Sequence, residues 1–157
     1  MRLNPAFGQC SLAKLAMNEE SDEQIEEANA RFYRALESGS IQLMDELWLH
    51  DESARCVHPG WDMISGWERV KKSWERIFES GQKIKVAPTD LQIFRAGEVA
   101  CVTCKESITI FDEDSFDSAL AVATNLFVRN GSDWLIMLHH SSPVPILVPD
   151  TATDTIQ

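Results

Sequence analysis

The chain has 157 residues, of which 44% are hydrophobic, enough apolar material for one domain whose core needs neither disulfides nor metals. Its formal net charge is −11, from 25 acidic and 14 basic residues. An acidic surface of this kind repels phosphate backbones and anionic lipid headgroups. We therefore expect neither a nucleic acid nor a membrane as a partner.

The sequence also predicts where the protein resides. Residues 1–20 lack the continuous apolar run of a signal peptide, and no later stretch approaches the roughly 18 apolar residues of a membrane span. The four cysteines are too few for a disulfide scaffold, which agrees with a reducing compartment. These observations favour a cytoplasmic protein.

Three helices are predicted in the first half of the chain. The first follows the capping-box spacing of residues 21–24 and ends at Ser38-Gly39. The second is short, follows Ser40 and places apolar residues on one face for about two turns. The third begins at a second capping box, residues 65–68, and ends at Ser80-Gly81.

From residue 83 onward the apolar residues alternate with period two, which is typical of strands. Four strands are predicted, over residues 83–94, 99–111, 119–129 and 134–142. Short turns join them, so they form an antiparallel meander. A shorter strand over residues 53–57, with brief pairing at 62–64, precedes the third helix. Helices followed by a long curved sheet predict a segregated α+β fold, in which the concave face of the sheet closes on the helices.

Several short motifs occur in a characteristic order along this pattern. They are residues 32–39 on the first helix, Leu47-Trp48, His58-Pro59-Gly60, Gly66 before the third helix, and Trp134 with His140 and Ser142 in the last strand. Together they resemble the SnoaL-like, nuclear transport factor 2-like superfamily, which includes the ketosteroid isomerases and the association domain of calcium/calmodulin-dependent kinase II. The resemblance implies a cone-shaped barrel, made of a curved, mainly antiparallel sheet wrapped around three N-terminal helices.

The same resemblance divides the chain into three parts. Residues 21–143 form the SnoaL-like domain. Residues 1–20 are an N-terminal extension and residues 144–157 a C-terminal tail. Residues 1–20 and 148–157 show no sustained pattern, so we expect both stretches to be loose.

His58 is the first candidate catalytic residue. It precedes Pro59 at the position where the isomerases of the resembled superfamily carry an aspartate base, and imidazole titrates near neutral pH. The isomerase tyrosine that donates to the oxyanion falls on Phe32, with Tyr33 beside it, so Tyr33 is a further candidate. The alternative for His58 is a strand-end histidine that hydrogen-bonds to a neighbouring loop.

The last strand carries two adjacent histidines, of which at most one points into the barrel, because neighbouring side chains on a strand point to opposite faces. The spacing in the resembled superfamily favours His140 as a hydrogen-bond donor to the ligand, with Ser142 as a further contact. His139 then belongs to the solvent or dimer face.

Tryptophans are candidates for an aromatic wall around the ligand. We expect Trp48 and Trp74 to line the walls. Trp61 is expected at the mouth, because it follows the Pro59-Gly60 break. Core packing is the alternative for tryptophans at helical spacing.

Neither a metal nor a cofactor is expected. Cys101 and Cys104 stand three apart on a predicted strand, where their thiols lie on opposite faces and cannot chelate one ion. The histidines show neither HxH nor HxxxH spacing.

The sequence therefore predicts a small-molecule-binding protein with a hydrophobic pocket, which catalyses proton transfer of isomerase, cyclase or hydrolase type on a hydrophobic carbonyl compound. The alternative is a non-catalytic assembly module of the same fold, and at this point the choice between enzyme and module stays open. The strand over residues 119–129 is apolar on both faces, with Leu120 and Val122 on one and Ala121 and Ala123 on the other. A homodimer through the sheet is therefore expected.

Overall fold

The computed structural model describes residues 6–112 and 115–145, with side chains from residue 22 onward. Three helices are present in this part of the chain: α1 (Ala6–Ser38), α2 (Ile41–Asp45) and α3 (Trp67–Glu79). The strands are β1 (Arg55–Val57), β2 (Ile64–Ser65), β3 (Lys83–Ala96), β4 (Val99–Phe111), β5 (Phe116–Asn130) and β6 (Asp133–Pro143). The predicted α+β class is confirmed.

Two helices start at residues other than those predicted. α1 begins at Ala6 and runs through the capping-box spacing at residues 21–24, because residues 6–20 contain no proline and are mostly helix formers. α3 has Gly66 rather than Ser65 as its N-cap. The backbone of Gly66 has a φ of 85°, which other residues rarely adopt, and a Cβ there would lie 2.9 Å from Oε2 of Glu52.

The predicted division into extension, domain and tail stays a prediction. α1 crosses the predicted boundary at residue 20. Residues 1–5 and 146–157 lie outside the described residues. None of the helices in the described ranges is long and apolar enough to cross a membrane.

The six strands form one sheet with the order β2-β1-β6-β5-β4-β3. Strands β3 to β6 pair antiparallel, as the short turns predict. β1 instead pairs parallel with β6, and this places Cys56 beside His139. The residues that follow β1 therefore lie next to the C-terminal part of β6.

A bulge in β6 changes which of its residues face the helices. Leu126 of β5 pairs with Leu138, whereas the next residue, Phe127, pairs with Ile136, so Met137 is the extra residue. Ile136 is buried before the bulge, and His139 is buried after it. Because side chains alternate along a strand, one extra residue exchanges the two faces of everything that follows.

The core lies between the helices and the concave face of the sheet. Its largest fully buried side chains are Trp48, Phe32, Phe127, Ile25, Met44 and Ile136. α1 packs on β3 and β6, and α3 packs on α2, β1 and β2. Between α3 and the inner faces of β3 and β4 this packing leaves an open space, and the site lies there.

Candidate active site

A cavity of about 380 Å³ opens between α3, the turn after β1 and the concave face of the sheet. Apolar side chains supply most of its walls: Leu36, Trp74, Ile77, Ile84, Val86, Ile108 and Ile110. Four buried polar side chains also face it, namely His58, Glu106, His139 and Ser141, and the exposed Arg76, Ser80 and Gln82 line it as well. An apolar pocket with a few converging polar groups is the usual form of a small-molecule site.

A tight turn after β1 presents the mouth of the cavity. The carbonyl oxygen of His58 accepts from the backbone N–H of Trp61 at 2.9 Å, and Gly60 has a φ of 80°. Proline followed by a glycine with positive φ is the pattern of a type II turn. The turn brings the ring of Trp61, which is 39% exposed, to 5.0 Å from the ring of His58 in an edge-on contact.

His58 itself is 3% exposed and is held by α3. Its Nε2 lies 2.8 Å from Oγ of Ser73, and the hydroxyl of Ser73 donates to the carbonyl of Val70. Because that donation uses the only hydroxyl proton, Oγ accepts and Nε2 of His58 carries the proton. The other ring nitrogen, Nδ1, then holds the lone pair. Burial lowers the pKa of His58 to about 4, so the imidazole is neutral at neutral pH.

His139 is the histidine of β6 that faces the cavity. Its Nδ1 lies 2.7 Å from Oδ1 of Asn125, and Nδ2 of Asn125 donates to Oδ1 of Asn29 at 2.8 Å. Since Oδ1 of Asn125 is an acceptor, His139 donates from Nδ1 and keeps its lone pair on Nε2. Burial first, and then the nearby His58 and His140, lower the pKa of His139 to about 3.

The structure corrects the predicted places of His140 and Ser142. Both are exposed, and His139 and Ser141 are buried in their stead. The reason is the bulge at Met137, which shifts the alternation by one residue. A period-two pattern read from the sequence carries no sign of this extra residue.

Glu106 is a site residue that the sequence interpretation missed. It is 2% exposed, in the middle of β4. Its Oε1 accepts from the hydroxyl of Tyr33 at 2.8 Å, and its Oε2 accepts from the hydroxyl of Ser141 at 2.5 Å. Burial raises the pKa of Glu106 above its ordinary 4.5, and the two hydrogen bonds offset only part of that rise.

A signal for Glu106 is nevertheless present in the sequence. Alternate positions of β4 face inward and are otherwise apolar or weakly polar: Ala100, Val102, Cys104, Ile108 and Ile110. Glu106 falls in this series as its one carboxylate. Burying a charged group is costly, so a lone acid on the inward face of a strand is itself a candidate functional residue.

Tyr33 lies behind the cavity wall and holds Glu106. It is buried on α1, with its hydroxyl 2.8 Å from Oε1 of Glu106 and 3.2 Å from Sγ of Cys104. Burial, followed by the charge of Glu106, raises the pKa of Tyr33, so its hydroxyl remains protonated. This geometry makes Tyr33 a positioning residue for Glu106 in place of the predicted contact with a ligand.

The three tryptophans of the predicted wall have different surroundings. Trp74 and Trp61 line the cavity, and Trp74 lies 4.4 Å from the ring of His58. Trp48 is instead fully buried and stacks on Trp67 at 5.8 Å. The core-packing alternative applies to Trp48, because it is enclosed between Trp67 of α3 and Ile136 of β6, with which it forms a β-bridge.

The described residues contain no group of three or more His, Cys, Asp or Glu side chains that could hold a metal ion. Cys104 is buried on β4 and Cys101 is partly buried three residues earlier, and both thiols are free. That the protein binds neither a metal nor a cofactor stays a prediction.

A family model described as a SnoaL-like domain matches residues 25–147. The chain belongs to the SnoaL-like family. The predicted membership and the cone-shaped fold are thereby confirmed.

Solved structures similar to this SnoaL-like domain include two with substantial identity. A candidate dehydratase of the nuclear transport factor 2-like family from Streptomyces avermitilis is 34% identical, with a TM-score of 0.76, and the match covers 82% of this chain and 99% of that one. A candidate calcium/calmodulin-dependent protein kinase type II association domain from Thiobacillus denitrificans is 28% identical, with a TM-score of 0.65 and coverage of 76% and 94%.

A curated relative is the F-box protein SKIP8 from Arabidopsis thaliana, which is 28% identical over 116 residues. The match covers 73% of this SnoaL-like chain and 47% of the plant protein. The chain therefore spans about half the length of that relative.

Proposed function

We propose that this SnoaL-like domain binds a small, mostly apolar carbonyl compound and catalyses proton transfer on it. One observation carries the proposal: His58 and Glu106 are both buried and line the same cavity, and burial shifts their pKa values in opposite directions. Burial favours the unprotonated imidazole of His58 and the protonated carboxyl group of Glu106. A pair of this kind supplies a base and an acid at the same pH.

The chemistry that fits this pair is removal of a proton from the carbon next to a carbonyl group. Nδ1 of His58 accepts that proton, while protonated Glu106 donates to the oxygen on which charge develops. In a β-hydroxy carbonyl compound the same two groups catalyse dehydration: the C–H and C–O bonds break, a C=C bond forms, and the hydroxyl leaves as water with the proton of Glu106. Return of the proton to a different carbon would be an isomerisation.

Two further observations support this assignment. The cavity of about 380 Å³ lies near the lower end of the range of roughly 300–1,000 Å³ for ligand pockets, so it suits a small substrate. The relative from Streptomyces avermitilis is a candidate dehydratase. The donor role predicted for His140 passes to Glu106, because His140 is exposed on the other face of the sheet.

The first experiment identifies the ligand. Native mass spectrometry of the protein purified from its own cells would reveal a retained small molecule and its class. That compound, with a panel of small apolar ketones and β-hydroxy carbonyl compounds, is then incubated with the protein in deuterium oxide. Deuterium incorporation at the carbon next to the carbonyl, followed by NMR, measures proton transfer directly.

Variants of single residues test which side chains transfer the proton. His58→Gln should slow exchange by roughly 100-fold or more, the usual effect of losing an acid or base, and Glu106→Gln should also slow it. His140→Gln is the matched control, because His140 is exposed on the outer face. Undiminished exchange in His58→Gln and Glu106→Gln would refute the proposal.

A second proposed function is assembly, and it rests on the outer face of the sheet. Leu120 and Val122 of β5 point away from the cavity and are 50% and 45% exposed. Adjacent exposed apolar side chains in a sheet favour an interface. The proposed partner is a second copy of the chain, with about 1,600 Å² buried in total. The relative from Thiobacillus denitrificans is a candidate association domain, which supports this second function.

A further inference from the structure

We propose that the ligand of this cavity carries a carboxylate, which Arg76 binds at the mouth. This inference rests on the proposed function, because it names the substrate class of the same site. A substrate that meets both ends of the cavity is an apolar carboxylic acid with a second, carbonyl or hydroxyl, oxygen.

Arg76 brings a fixed positive charge to the entrance of the cavity. It is exposed on α3. Among the described residues that line the cavity, it is the only lysine or arginine. Its guanidinium carbon lies 5.3 Å from the centre of the Trp61 ring. Stacking on an aromatic ring holds the planar fork of an arginine in place while leaving its N–H donors available. The fork matches the two oxygens of a carboxylate.

Arg76 forms no ion pair with a carboxylate in the part of the chain that the structure describes. The ion pairs formed by the described residues join Lys71 to Asp45 and Lys105 to Asp90, among others, and none of them includes Arg76. This is unexpected in a chain with 25 acidic and 14 basic residues, where carboxylates are abundant. An unpaired arginine beside a cavity is therefore available to a ligand.

The polarity of the cavity defines the rest of the substrate class. Arg76 and Trp61 are exposed at one end, whereas Glu106 and His139 are buried. Ile77 and other apolar residues line the space that these groups share. A ligand that satisfies both ends has an anionic group outside, an apolar body, and an oxygen that reaches Glu106 inside.

Because the net charge of the chain is −11, an anionic ligand depends on the positive charge of Arg76. A strongly acidic protein repels anions in general, so a carboxylate binds only where a local positive charge compensates. The competing role for Arg76 is to cover Trp61. A covering residue would affect charged and neutral ligands equally, which provides the test.

The experiment compares two probes of nearly equal shape, 3-phenylpropanoate and its neutral amide, 3-phenylpropanamide. Binding is measured by isothermal titration calorimetry, with tryptophan fluorescence as a second readout because Trp61 and Trp74 line the cavity. The wild-type protein should bind the carboxylate about tenfold or more tightly than the amide, as expected for a charge-assisted hydrogen bond.

Arg76→Gln should remove this preference and leave the affinity for the amide unchanged. Lys72→Gln is the matched control, because it removes one positive charge from the same exposed side of α3 and Lys72 does not line the cavity. The Lys72→Gln variant should still bind the carboxylate more tightly than the amide. Equal binding of the two probes by the wild-type protein, failure of both to bind at millimolar concentration, or equal losses in the two variants would overturn the proposal.

These outcomes are separate from those of the proposed function. Preference for the carboxylate that depends on Arg76, together with undiminished deuterium exchange in His58→Gln, would keep the anion site and refute the catalytic pair. Exchange that depends on His58, with no preference between the probes, would keep the catalytic pair and refute the anion site.

Discussion

Nδ1 of His139 lies 2.7 Å from Oδ1 of Asn125, so the neighbouring strands β5 and β6 fix the tautomer of a buried imidazole. Asn29 extends this contact to α1, because its Oδ1 accepts from the amide of Asn125. The chain of hydrogen bonds joins a helix to two strands. It makes the orientation of His139 a property of the fold and leaves Nε2 with the lone pair.

The first prediction concerns this contact. Asn125→Asp preserves the shape of the side chain but places a carboxylate beside Nδ1 of His139, so the pKa of His139 should rise from about 3. NMR titration of the ring nitrogens measures the change. His50 is the internal control, because it is exposed at the N-terminal end of α3, where it stacks on Trp67 and has no contact with residue 125. An unchanged titration of His139 would show that the contact with residue 125 is absent in solution.

The second prediction compares adjacent histidines. His139→Ala leaves Asn125 without its donor and opens a void beside Phe32, whose ring lies 4.7 Å away, so we expect a loss of roughly 2–3 kcal/mol in the free energy of unfolding. His140→Ala should change it by less than about 0.5 kcal/mol, because His140 is exposed. Urea denaturation distinguishes the two. The reverse order would place the bulge of β6 elsewhere.

The third prediction is a dependence of stability on pH. In the unfolded chain His58 takes up a proton below about 6.5, whereas burial lowers its pKa in the native protein to about 4. The unfolded state therefore binds more protons between these values, and stability falls as the pH falls through this window. The difference between the two pKa values of His58 corresponds to roughly 3 kcal/mol in the free energy of unfolding. This contribution is fully present above pH 6.5.

Glu106 acts in the opposite direction. Its pKa is raised in the native protein, so its contribution to stability is present below about pH 4.5 and is lost as the pH rises through the native value. Urea midpoints measured from pH 4 to pH 8 should therefore show a shallower slope between 6.5 and 4 in His58→Gln than in the wild-type protein. Identical slopes in the two proteins would contradict a buried neutral His58.

The sequence determined the fold well and the site unevenly. Period-two patterning predicted β4 with its observed bounds, Val99–Phe111, because alternation along a half-buried strand is a local property. Trp61 could be placed at the mouth, close to His58, because a proline and a glycine dictate the turn between them.

Other parts of the site depend on contacts that a local pattern does not contain. His139 replaced His140 because a bulge arises from pairing between strands, and nothing in the period of β6 marks Met137 as the extra residue. Glu106 reaches the cavity at the inward position of β4, and its partner Tyr33 comes from a helix 73 residues earlier in the chain. Recognising that pair from the sequence requires the inward face of β4 to be followed residue by residue.

The fourth prediction concerns the proposed homodimer. The double variant Leu120→Glu and Val122→Glu places two charges on the outer face of β5 and should convert a dimer into a monomer in sedimentation experiments. Leu43→Glu is the control, since Leu43 is similarly exposed on α2, away from the sheet. A wild-type mass equal to one 17.7 kDa chain at micromolar concentration would count against the dimer.

The central claim is that one cavity holds a neutral imidazole and a carboxyl group with a raised pKa, and NMR titration of both groups in a single sample tests it most directly. The carboxyl carbon of Glu106 and the ring of His58 are assigned from the signals lost in Glu106→Gln and His58→Gln. We predict that Glu106 titrates above 4.5 and that His58 titrates near 4. Titration of Glu106 at or below 4.5, together with His58 at its ordinary 6.5, would contradict the account.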